Sequence, residues 1–113
     1  MDLNVAVIVG RLTAAPELRP HGDEHEAAVL RLATRRPARE GQPPSGVDLV
    51  DVAVHATLAD RMADYLVKDR RIIVGGRLEH RAPRGGTPAL HVFATLLQIL
   101  EPGDPPPTTR RAL

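Results

Sequence analysis

"NVAVIVGRLTAAPELR", residues 4–19, is the stretch on which the fold reading turns. Leu3, Val5, Val7 and Val9 share one face of an alternating run, and Asn4, Ala6, Ile8 and Gly10 share the other. The run is a strand over residues 3–12 whose second face is also partly apolar, so neither face is free to meet water alone. Gly10 permits the strand to bend, Pro16 and Pro20 end it, and His21-Gly22-Asp23 reads as a turn. A bending strand with two apolar faces belongs in a small curled sheet that removes its own edges.

The rest of the chain supplies the other walls. Residues 27–34 form a second strand with Ala28, Leu30 and Leu32 on one face, and residues 36–46 are a Pro/Gly-rich loop. A third strand covers 47–55, with Val50, Val52 and Val54 on one side and Leu49, Asp51, Ala53 and His55 on the other. Leu58, Met62, Tyr65 and Leu66 then recur at helical spacing, behind a capping-box pair of Thr57 and Asp60, and this helix ends near Lys68-Asp69. A fourth strand runs from 71 to 81 with a bulge expected at Gly75-Gly76, residues 82–88 form a hairpin loop, and an apolar fifth strand spans 89–100. The order predicts an all-β fold, a five-stranded OB-fold barrel over residues 1–100 with one helix between its third and fourth strands. A four-stranded α+β sandwich competes with it. Residues 101–113 read as a disordered Pro-rich tail.

A length of 113 residues suits one domain, and only Tyr65 and Phe93 are aromatic. No apolar run approaches the ~18 residues of a membrane span, no targeting segment opens the chain, and there is no cysteine. These features point to a cytoplasmic protein with no membrane association. The net charge of +1 conceals two basic stretches: Arg31, Arg35, Arg36 and Arg39 with no acid among them, and Arg70, Arg71, Arg77, Arg81 and Arg84 with Glu79 alone. Stripes of that kind suit a phosphate backbone. His21, Asp23, His25 and Glu26 are the one metal-like grouping, but a turn without further ligands makes a poor metal site; His80 and His91 are expected to face each other across the last hairpin as a surface pair. No nucleophile elbow or phosphate loop is present, so neither a catalytic residue, a metal nor a cofactor is expected, and the chain reads as no enzyme.

Asn4, Val7, Gly10-Arg11-Leu12-Thr13 and Pro16-Glu17-Leu18-Arg19 resemble the N-terminal signature of bacterial single-stranded DNA-binding proteins (SSB). The resemblance continues in order through Arg31-Leu32-Ala33, Asp51-Val52, Leu58-Ala59, Tyr65-Leu66 and Gly76-Arg77-Leu78, covering roughly residues 1–100. It implies an OB-fold that assembles into dimers or tetramers and binds single-stranded DNA without a chemical reaction, in replication, repair and recombination. Family proteins stack bases on aromatic rings and track phosphates with a basic groove. The matching third-strand positions here are Leu49 and His55, and the fourth-strand position is Pro83, so most rings are missing. The tail ends Arg110-Arg111-Ala112-Leu113, opposite in charge to the family's acidic tip.

The expected nucleic-acid contacts are therefore Arg11, Arg31, Arg35, Arg36, Leu49, His55, Arg77, Arg81 and Arg84, mainly electrostatic with limited stacking. A divergent paralogue of this kind has single-stranded DNA and copies of itself as partners. The first and fifth strands hold more Val, Leu and Ile than one barrel interior takes up, which favours a homo-oligomer. The rival reading is an interaction or assembly protein with little DNA affinity, whose partner is a full-length SSB or a replication or repair protein.

Overall fold

The computed structural model describes residues 1–21, 25–81 and 89–100, without the side chains of 19–21, 25–26 and 81. Its elements are β1 (Ala6–Leu12), β2 (Glu17–His21), β3 (His25–Arg35), β4 (Val47–His55), α1 (Ala56–Arg61), β5 (Arg71–Arg81) and β6 (Ala89–Ile99). They build one sheet in the order β1-β5-β6-β4-β3-β2, and an additional β1–β3 pairing closes it. Five strands thus circle into a barrel, with β2 continuing the run of β1 along β3. One helix lies between the third and fourth barrel strands, which is the OB-fold arrangement and not the α+β sandwich.

Closure depends on β1 changing partners. Ala6 to Arg11 pair with β5, while Arg11 and Leu12 also pair with Ala33 and Leu32 of β3. A Cβ at Gly10 would stand 2.7 Å from the Ala33 carbonyl oxygen, so only glycine lets β3 come this close. Gly10 serves a close approach at the barrel seam. The segment after Leu12 leaves the ladder, yet Glu17 resumes pairing opposite Val29. The prolines do not end the run as expected, because β2 is an edge strand and Pro20 there deprives no outer neighbour of a donor.

The expected bulge is present as a register shift between Gly75 and Gly76. A Cβ on Gly76 would overlap the Phe93 carbonyl oxygen, which fixes glycine at this position. Just beyond, the Asn4 side chain imitates a ladder pair: its Nδ2 donates to Leu78 O, and Leu78 N–H donates to its Oδ1, both at 2.8 Å. One side chain therefore fastens the N-terminal end of the first strand to β5.

Inward-facing Leu30, Leu32, Val52, Val54, Ile72, Val74 and Val92 fill the barrel, and Ala59 and Leu66 join them from the α1 side. The helix is shorter than its apolar spacing suggests. It is capped by His55, whose Nδ1 accepts from the Thr57 N–H at 3.1 Å, and the α-helix stops at Arg61. Residues 62–65 continue as turns that still bury Leu66, so the periodicity records which side faces the core rather than how far the helix runs. Asp69, at φ 70°, closes the connection by donating its N–H to Leu12 O at 2.8 Å. The expected tail, the 82–88 loop, and Asp23 with the side chains of His21, His25 and Glu26 of the metal-like grouping lie outside the described residues.

Candidate nucleic-acid interface

The barrel's outer face over β3 and β4 follows from the alternation that fills its core. With Leu30, Leu32, Val52 and Val54 inside, Arg31, Ala33 and Arg35 of β3 and Leu49, Asp51, Ala53 and His55 of β4 point out. Leu49 is 58% exposed although it is apolar, and it lies opposite Ala33. β6 joins β4 in parallel and β5 joins β6, so one row on the outer side of the sheet runs Val29, Ala53, Phe93, Arg77 across four strands, with the small Ala53 itself covered at 5% exposure.

That row ends in a stacked pair. The Arg77 guanidinium carbon lies 4.9 Å from the centroid of the Phe93 ring, and Arg77 Nη2 donates to Glu79 Oε2 at 2.9 Å. Glu79 in turn stands 3.3 Å from His91 Nε2, its direct cross-strand neighbour. His80 pairs with Leu90 in that ladder, so His80 and His91 do not face each other as the sequence suggested; one residue of register puts them on opposite sides of the sheet.

Several expected phosphate contacts are held by carboxylates. Arg31 lies directly opposite Asp51 and grips it with Nε at 2.8 Å and Nη2 at 3.3 Å. The hydrogen bond that Arg31 donates to Asp51, then the Asp51 charge, raises the Arg31 pKa above its ordinary value, against a smaller opposing effect of burial and with a lesser contribution from Glu17. Arg36 Nε donates to Asp48 Oδ1 at 2.9 Å. Arg11 Nη1 donates to the Asp69 carbonyl oxygen at 3.0 Å, and Arg11 sits at the seam rather than on the β3–β4 face. Arg35 has no side-chain hydrogen bond or ion pair to another described residue. His55 lies at the end of the face with one ring nitrogen engaged as the helix cap. The Arg81 side chain and Arg84 lie outside the described residues. Among the described residues no group of three or more His, Cys, Asp or Glu is placed to hold a metal ion.

Two residues escaped the sequence reading. Phe93 is out of phase with the buried Val92 and Ala94, and that phase alone announces an outward ring. Arg71 belongs to the second basic stretch, but its place shows only in the fold, because its neighbours come from three different strands.

The sequence model of the single-strand binding protein family matches residues 3–87. The chain belongs to that family. Among its relatives are single-stranded DNA-binding protein 3 of Listeria innocua, 35% identical over 74% of this chain and 52% of that protein. A single-stranded DNA-binding protein of Halalkalibacterium halodurans is 34% identical over 88% of this chain and 62% of its own length. Single-stranded DNA-binding protein 2 of Staphylococcus aureus (strain COL) is 34% identical over 88% of this chain and 75% of its own length. The chain thus spans between half and two thirds of the first two of these relatives. A solved Plasmodium falciparum SSB in complex with single-stranded DNA superposes with a TM-score of 0.70, covering 89% of this chain and 97% of that one at 23% identity. That likeness speaks for the barrel fold, and family membership rests on the sequence. No helix among the described residues is long and apolar enough to cross a membrane.

Proposed function

We propose that this chain holds single-stranded DNA, without catalysis, on the outer face of β3, β4 and β6. The observation that supports it best is the row Val29–Ala53–Phe93–Arg77, a low apolar strip ending in a ring capped by a guanidinium. Bases stack on such surfaces irrespective of sequence, and guanidinium planes serve as well as rings. Arg35 and Leu49 extend the strip at the other end of β3 and β4. Arg31, Arg36 and Arg77 are engaged by Asp51, Asp48 and Glu79, so they add phosphate contacts only where a phosphate displaces those carboxylates, and their share of the affinity is small. Arg81 and Arg84 of the second basic stretch are included as phosphate contacts on the sequence alone, and the protein acts in the cytoplasm in replication, repair or recombination.

The proposal includes self-association. Val5 and Val7 are 64% and 63% exposed on the outer side of β1, and over residues 6–10 β1 pairs only with β5. A free edge lined by valines favours pairing with a second copy. Light scattering of the purified chain tests this: a dimer or tetramer supports it, and a monomer at tens of micromolar refutes it.

The deciding experiment is fluorescence anisotropy of labelled oligo-thymidine titrated with protein at low and near-physiological salt. Saturable binding in low salt supports the reading, and its salt slope reports how many phosphates are gripped. Absence of binding even in low salt refutes it and favours the rival interaction protein. That rival draws on the three carboxylates that neutralise Arg31, Arg36 and Arg77.

A further inference from the structure

Arg11 and Arg71 stand directly opposite each other across the β1–β5 ladder. Like charges so placed repel, and a sheet gains nothing from the pairing itself. Both line a cleft of about 490 Å3 together with Arg35, Val9, Thr34 and Val47, and no Asp or Glu is among the described residues that line it. The cleft lies where β1 and β3 part: Arg11↔Ala33 is the last pair between them, and Val9 and Arg35 lie beyond it. Arg11 is steadied there by the Asp69 carbonyl at 3.0 Å. Arg35 and Arg71 have no side-chain hydrogen bond or ion pair to another described residue.

We propose that this seam cleft seats a phosphate of the nucleic-acid strand, gripped by Arg11 from β1, Arg35 from β3 and Arg71 from β5. The inference rests on the single-strand binding reading above and adds a site off the β3–β4 face. Guanidinium forks match phosphate oxygens in pairs, and an anion between Arg11 and Arg71 converts their repulsion into shared attraction. A neighbouring cleft adjoins the seat: about 330 Å3 in volume and lined by Arg36, Ser45 and Gly46, it shares Arg35 and Val47 with the first. A strand leaving the exposed face near Leu49 passes Arg35 and reaches the seam, so the phosphate is a backbone phosphodiester rather than a free anion.

The test is the salt dependence of oligo-thymidine binding by Arg71→Ala, with Arg61→Ala as a control of equal charge change that lines neither cleft. One phosphate contact contributes about 0.7 to the slope of log K against log salt for a single strand. With the counterion effect taken as vanishing near 1 M, that contact is worth roughly eightfold in affinity at 0.05 M and roughly fourfold at 0.15 M. Arg71→Ala is expected to lose that much slope and affinity, Arg71→Lys to recover the slope in large part, and Arg61→Ala to match the parent. A parent that binds while Arg71→Ala binds with the same slope overturns the seat and leaves the functional reading standing. A parent that binds no oligonucleotide overturns both. Titration with inorganic phosphate alone, read at the arginine side-chain NMR signals, separates the sources. Millimolar phosphate that shifts the Arg11, Arg35 and Arg71 signals, without any slope change in Arg71→Ala, makes the cleft a free-anion site and overturns the strand assignment.

Discussion

Replacing Asp51 with asparagine is expected to tighten binding to a single strand. In the native protein both carboxylate oxygens of Asp51 occupy the Arg31 fork, at 2.8 and 3.3 Å, and that fork is the part of Arg31 a phosphate would use. The pair also cancels the charge that Arg31 would present. The Asp51→Asn change keeps the shape and one acceptor oxygen but removes the charge. Asp51 raises the Arg31 pKa, so losing it lowers a value that lies far above any working pH, and Arg31 stays protonated in both proteins. The freed guanidinium then engages one more phosphate. On the counterion-release scale the slope steepens by about 0.7, and affinity rises roughly eightfold at 0.05 M salt and roughly fourfold at 0.15 M.

The assay is oligo-thymidine anisotropy at both salts for Asp51→Asn, Arg31→Ala and the double variant. Arg31→Ala alone is expected to bind within about twofold of the parent, since its charge is already spent on Asp51. The double variant should lose the whole gain. Because the pair is surface-exposed, thermal melting of all three should stay close to the parent. Equal or weaker binding by Asp51→Asn refutes the reasoning. A gain that survives in the double variant refutes it too, since Asp51 would then act as a diffuse repulsive charge and not through Arg31.

Phe93→Leu keeps an apolar side chain but removes the ring beneath Arg77, so affinity should fall about five- to tenfold with the salt slope unchanged, in contrast to the arginine variants. Substituting alanine for the three seam and bulge glycines should destabilise in the order Gly76, Gly10, Gly75. The first two meet backbone atoms of β6 and β3, whereas a Cβ on Gly75 meets only the Leu96 side chain at 3.4 Å; Gly76→Ala should cost roughly 1–3 kcal/mol in urea unfolding. His55→Ala should cost about 1 kcal/mol through loss of the α1 cap, and His55→Asn should restore most of it in the same assay.

The barrel was legible because its evidence is local. Alternation in 47–55 placed Val50, Val52 and Val54 on one face, and the structure packs these against the core. Gly75-Gly76 marked the bulge for the same reason: a Cβ on Gly76 has no room beside a paired strand. The second segment of the first strand was hidden because Pro16 and Pro20 signal termination only where a strand is flanked on both sides. Whether residues 17–21 lie at an edge is a property of the closed sheet. The helix end was misread because Leu66 is buried equally well by an α-helix or by the turns that follow Met62.

The site was harder to read because sequence counts charges while binding depends on which charges are free. Arg31 and Asp51 are twenty positions apart, and only the β3–β4 register makes them partners. Arg36 and Asp48 meet across the mouth of the 36–46 loop, which the basic stretch alone does not reveal. Arg71 is the converse case. It is one of five arginines between 70 and 84, nothing local separates it from Arg70, and what sets it apart is that β1 delivers Arg11 opposite it and β3 delivers Arg35 beside it. A chain of net charge +1 thus gathers three guanidinium groups in one cleft with no acid among its described lining residues, while Arg31, Arg36 and Arg77 each meet a carboxylate. On the proposed reading, phosphate grip and base stacking fall on different parts of the barrel. Substitutions at Arg71 should change the salt slope, and substitutions at Phe93 should change affinity at constant slope.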